Sequence, residues 1–133
     1  MRRYIKIAIA SALLLLAWGC GGSGNAYAGY WTGTWSETSP AQSGALTLTI
    51  VGTVVVGNIS NTTLNSTSGG GSVSGSIDNS GNLSLSCTVT GTSAYTSTIT
   101  GVVTVLNGTM TATSLSETRS TGGPYTMSAT LTD

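Results

Sequence analysis

From Gly29 onward, apolar residues fall on every second position and alternate with serine and threonine. Leu46, Leu48 and Ile50 form one such series, Leu83, Leu85, Cys87 and Val89 a second, and Met127, Ala129 and Leu131 a third. No stretch carries the 3.6-residue repeat of an amphipathic helix. Successive side chains of a strand point to opposite faces, so this pattern dictates antiparallel sheet with one dry face and one wet face covered in hydroxyls. Turn residues separate the apolar series and place strands at 30–37, 44–51, 53–60, 71–77, 82–90, 94–103, 107–115 and 124–132. The inward set also takes Trp31, Trp35, Val73, Ile77, Tyr95, Ile99, Met110, Ala112 and Tyr125, while consecutive Val54, Val55 and Val56 leave the register of their strand open.

Strands this short, joined by tight connections with no long crossover, predict an all-β fold. The expectation is an antiparallel up-and-down β-barrel of about eight strands, with a two-sheet β-sandwich as the alternative. Gly57, Gly75 and Gly101 interrupt strands at their middles, where the loss of a side chain permits the sharp bend that a closing sheet needs. They also suggest some internal space.

The first thirty residues read differently. A basic stretch ending at Lys6, an apolar run over 7–18 and then Gly19 and Cys20 form the layout of an export signal peptide. A run of twelve residues, Ser11 among them, is too short for a span, which needs about 20 apolar residues. The segment Leu16, Ala17, Trp18, Gly19, Cys20 resembles a bacterial lipobox. That resemblance implies a signal peptide over 1–19, a palmitate-type lipid modification at Cys20, and a membrane anchor. Residues 20–29 then form a flexible tether and 30–133 the barrel domain. Gly21 is not the Asp of an inner-membrane retention signal, which implies the outer membrane of a Gram-negative envelope. The alternative is cleavage after Ala28, at the Ala26, Tyr27, Ala28 sequence, giving a secreted or periplasmic protein.

Gly33, Thr34 and Trp35 look like the short motif that opens the barrels of lipocalins, avidins and their relatives, the calycins. In that superfamily the Trp packs across one barrel end against an Arg that follows the last strand. Here Arg119 precedes the last strand, which places it at the opposite rim.

Composition narrows function by exclusion. Ser, Thr and Gly make up 63 of 133 residues, His is absent, and beyond Lys6 the one cation, Arg119, faces Glu37, Asp78, Glu117 and Asp133. Without imidazole or a lysine in the body, the usual bases, metal ligands and amine nucleophiles are missing, and one Arg makes no nucleic-acid footprint. No cofactor and no metal site is expected, and the chain reads as non-enzymatic. Cys87 alternates with core leucines and reads as a small buried hydrophobe.

Two candidate sites remain. The tripeptide Ser-Glu-Thr recurs at 36–38 and 116–118, so Glu37, Glu117 and Arg119 fall on one rim together with the longest loop and Leu64; as solvated strand-end charges they frame a candidate ligand mouth. Trp31, Trp35, Tyr95 and Tyr125 are the candidate lining of a pocket. The functional expectation is therefore a lipid-anchored envelope protein that binds a small apolar ligand or contacts another envelope component. The alternative is a structural or surface-interaction module with a solid core, one that could self-assemble.

Overall fold

The computed structural model describes residues 24–61, 68–91 and 94–133. Nine strands follow one another: β1 (Gly29–Thr38), β2 (Ala41–Val51), β3 (Val54–Ile59), β4 (Ser68–Ile77), β5 (Asn82–Gly91), β6 (Tyr95–Val102), β7 (Thr104–Leu106), β8 (Thr109–Arg119) and β9 (Gly122–Thr132). Each pairs antiparallel with its sequence neighbour from β1 to β6, β9 pairs with both β1 and β8, and a β6–β8 pairing closes the ring. The result is an eight-stranded up-and-down barrel with β7 as an extra strand. The closing pair rules out the sandwich, and closure pairs the strands of the ring on both sides, leaving three-residue β7, paired only with β8, beside it.

The alternation does what period two requires. Leu46, Leu48 and Ile50 of β2, Leu83, Leu85, Cys87 and Val89 of β5, and Met127, Ala129 and Leu131 of β9 are all buried, with hydroxyl residues between them facing out. The register left open at 54–56 resolves with Val55 fully buried and Val54 and Val56 outside. Tyr95 and Tyr125 are only half-buried.

Three departures from the expected strands shape the molecule. First, β6 and β7 form one strand interrupted at Val103, whose N–H donates to Gly81 O at 2.9 Å instead of to a strand partner. β7 then turns back into β8 through Asn107 and Gly108, at φ 51° and 71°, the left-handed pair that a two-residue hairpin demands. Second, β8 carries an extra residue: its register against β9 shifts between Ala112 and Leu115. The bulge makes Leu115, not Ser114, the next inward residue, so the parity of everything after it is reversed. Third, β1 and β8 run past their expected ends, to Thr38 and Arg119.

The mid-strand glycines close the barrel tightly and leave little room in it. A Cβ at Gly57 would collide with the Thr47 carbonyl and one at Gly75 with the Ser84 carbonyl, so the neighbouring backbone passes where a side chain would be. The interior retains an apolar void of about 20 Å³ among Leu46, Leu85, Met110, Leu115 and Met127.

Two ends are thereby defined. The entry end carries the start of β1, the β2–β3, β4–β5 and β7–β8 turns, and the end of β9. The far end carries the β1–β2 and β8–β9 turns, with the ends of β3 and β5.

Candidate functional site

Three charged residues of the body, Glu37, Glu117 and Arg119, meet at the far end, inside the barrel, while Asp78 and Asp133 are exposed at the entry end. β1 continues its alternation from Trp35 to Glu37, which places that carboxylate inward. On β8 the bulge turns Glu117 and Arg119 inward as well; without it, the parity set by Met110 and Ala112 would put both outside. Arg119 Nη2 donates to both carboxylate oxygens of Glu37, at 2.8 and 2.7 Å, and to Glu117 Oε2 at 2.7 Å. The rings of Tyr95 and Tyr125 flank the guanidinium, its carbon 4.8 and 4.7 Å from their centroids. Cation–ring contacts of this kind gain strength where water is excluded.

The three residues were expected to share a rim, and they share an end. Their expected solvation is corrected: Glu37 is 4 % exposed, Glu117 2 % and Arg119 8 %. The expectation took all three as strand-end charges: it did not carry the inward alternation of Trp35 on to Glu37, and it ended the strand of Glu117 and Arg119 at 115.

Burial sets the protonation of the cluster. Desolvation, reinforced by the hydrogen bond and charge of Glu117, pushes the Glu37 carboxyl up to about 8, against the opposing pull of Arg119. Burial works against ionised Glu117 too, but hydrogen bonds with Glu37 and Arg119 outweigh it and hold that carboxyl below its ordinary range. Burial likewise opposes the Arg119 charge, and the hydrogen bond and charge of Glu117 override it, so the guanidinium stays protonated. The Tyr95 phenol is raised to about 12, first by burial and then by the Glu117 charge. Near neutral pH the two carboxyls therefore hold one proton between them, and the pair titrates as a unit. One cation, one anion and one neutral acid make a cluster with no net charge, the cheapest way to keep three ionisable groups out of water.

Paired carboxyls with separated proton affinities are the equipment of acid–base chemistry. Among the described residues both carboxyls are buried. The interior void and the two surface grooves, one over Thr47, Asn58 and Thr88 and one over Ser76, Asp78 and Asn82, include none of Glu37, Glu117 and Arg119 in their walls. Among the described residues no group of three or more His, Cys, Asp or Glu could hold a metal ion.

The aromatic candidates are not gathered around a cavity. Trp31 and Trp35 are buried and their indole N–H groups are satisfied, Trp31 by Tyr27 O and Trp35 by Ser60 O, both at 2.8 Å. Tyr95 and Tyr125 clamp Arg119. None of the four lines the interior void. Trp35 is the seventh residue of β1 and reaches Ser60, so it belongs to the same half of the barrel as Arg119 rather than to the opposite rim. Cys20 and Leu64 lie outside the described residues.

Ile59, Val103 and Leu115 join the core beyond the expected inward set, and so does a residue from outside the expected strands, Tyr27. Residues 24–29 were assigned to a free tether, yet Tyr27 is buried at the entry end and its hydroxyl donates to Val103 O at 3.2 Å. Asn25 is tied down beside it, its amide donating to Gly52 O at 2.9 Å and accepting from the Tyr27 N–H at 3.0 Å. The available signal was one large aromatic in a stretch otherwise built of Gly, Ser, Asn and Ala. No protein family, no curated protein and no solved structure matches the chain.

Proposed function

We propose that the chain is a lipid-anchored protein of the bacterial outer membrane, non-enzymatic, whose barrel serves as a solid structural or surface-interaction module. The observation that carries the anchor is Tyr27. Cleavage after Ala28 would discard a core side chain together with Asn25 and its bonds to the barrel, whereas processing at Cys20 keeps both. The lipobox-like Leu16–Cys20 segment and the apolar run before it point to the same cut.

The solid-core reading is supported by volume. A small-molecule site occupies roughly 300 Å³ or more. The void of about 20 Å³ is apolar and near the minimum for one water, so an apolar ligand would have to displace core side chains. Tyr27 stoppers one end and the Glu37–Arg119–Glu117 cluster the other. What remains available to a partner is the outer surface, rich in Ser and Thr hydroxyls.

The test is Cys20→Ser in the full chain. Loss of fatty-acid labelling and release from the envelope are expected; a wild-type mature protein that begins at Gly29 contradicts the anchor. Emission from Trp31 and Trp35 that stays unchanged across a screen of apolar ligands supports the solid core, and a saturable shift contradicts it.

A further inference from the structure

Among the described residues, the large hydrophobic side chains exposed on this barrel are Tyr30, Val51, Val54, Val56, Val102 and Leu106, between 50 % and 73 % accessible. All six lie at the entry end. Tyr30 is the second residue of β1, Val51 ends β2, Val54 and Val56 open β3, Val102 ends β6 and Leu106 ends β7. Val51 pairs directly with Val54, and Tyr30 and Val56 flank Thr49 in one cross-strand row, so four of the six share one stretch of the outer face over β1–β3. Val102 and Leu106 lie on β6 and β7, separated from that stretch by β4 and β5. The far end shows no counterpart among the described residues. Scattered surface hydrophobics are ordinary, but a set confined to one end of a barrel marks an interaction surface.

The chain itself says what lies beneath that end. Asn25 is fixed to the β2–β3 turn through Gly52 O, between Val51 and Val54. From Cys20 to Asn25 is five residue steps, at most about 18 Å when fully extended. A lipid on Cys20 therefore cannot hold the entry end far from the bilayer.

We infer that the apolar rim of Tyr30, Val51, Val54, Val56, Val102 and Leu106 rests in the headgroup boundary of the bilayer, so that the barrel stands on the membrane by its entry end. The inference rests on the lipid-anchor reading of Cys20. Side chains of this kind gain free energy on leaving water for the acyl boundary, and Tyr suits an interface with one apolar and one wet side. Asp78 and Asp133 are exposed at the same end and set a preference for uncharged lipid. The far end, with the buried ionic cluster beneath it, faces away from the bilayer.

The test uses the full lipidated chain in phosphatidylcholine vesicles. Cysteine placed at Val54, at Leu106 or, as the far-end control, at Thr38 carries a nitrobenzoxadiazole dye; all three positions are exposed, and native Cys87 is buried. Dyes at 54 and 106 are expected to shift to the blue and to be quenched by nitroxide lipid, with the dye at 38 unaffected. Protein that floats with the vesicles while all three dyes report water overturns the inference and leaves the anchor standing. Protein that carries no lipid and does not float overturns both. Dye-to-dye quenching at 54 in place of lipid quenching names a second copy as the occupant and also overturns it.

Discussion

Glu37 and Arg119, 82 residues apart in the chain, meet inside the far end of the barrel, where a single guanidinium nitrogen donates to both oxygens of the carboxylate. The contact joins β1 to β8, strands that do not pair with each other, across the intervening β9. It therefore ties the barrel across its interior where ladder hydrogen bonds cannot. Glu117 accepts from the same nitrogen and the two tyrosine rings flank the cation, while Arg119 Nε is buried without a hydrogen-bond partner among the described residues.

Breaking the cluster from its centre is the severe change. Arg119→Met leaves two carboxyls buried without their cation and is expected to lower stability by about 3–5 kcal/mol in urea unfolding. Adding Glu37→Gln and Glu117→Gln to that variant removes the orphaned charge, so the triple variant recovers much of the loss. Equal stability of the single and triple variants would contradict a cluster held by charge balance.

Stability should fall as pH rises through the neutral range. The folded-state carboxyl of Glu37 is raised to about 8 from an ordinary value of 4.5, so between those values the folded protein binds more proton than the unfolded chain. Raising pH across this window then removes stability, by roughly 2–4 kcal/mol for one proton with a partner that shares it. Glu117 acts in the opposite sense: its depressed carboxyl withdraws stability as pH falls below the ordinary carboxylate range. Melting temperature is expected to peak in mild acid and decline toward pH 9, and Glu37→Gln, which mimics the protonated acid, should flatten that decline.

Tyr27 separates packing from hydrogen bonding. Tyr27→Ala empties a core position and is expected to cost about 3 kcal/mol, whereas Tyr27→Phe loses only the bond to Val103 O and should cost about 1 kcal/mol. Both are read by chemical denaturation of the full chain. A Tyr27→Ala protein as stable as wild type would remove the support that this residue gives to processing at Cys20.

Cys87 is expected to stay silent toward maleimide in the folded protein. It is buried, and burial pushes its thiol up, so little reactive thiolate reaches solvent. Labelling should appear only with denaturant and follow the unfolding transition; rapid native labelling would mean that the β5 region opens far more readily than its packing implies.

How much of this was legible in the sequence follows from one geometric fact. Period two reports face and strand type wherever a strand is uninterrupted, which is why the inward residues of β2, β5 and β9 could be read directly. Up-and-down order also placed Glu37, Glu117 and Arg119 at one end, because the expected first and seventh strands run the same way. Period two cannot report a bulge. The extra residue near Thr113 and Ser114 looks like any other pair of hydroxyl residues, yet it decides whether Glu117 and Arg119 face water or the core. β7 was hidden for a related reason: the Asn107–Gly108 pair was legible as turn chemistry, but the strand before it is three residues long and broken from β6 by Val103. Tyr27 was lost because the residues around it also spell a cleavage site, and sequence alone offers no way to weigh a local motif against a contact with Val103.

If lipid at Cys20 moors the barrel through the short tether that Asn25 and Tyr27 lock to its entry end, the intact mass of protein extracted from its native envelope will show it. A chain starting at Cys20, heavier by a diacylglyceryl group and an amide-linked acyl chain and carrying no other molecule, is the predicted result. An unmodified chain starting at Gly29 would contradict it.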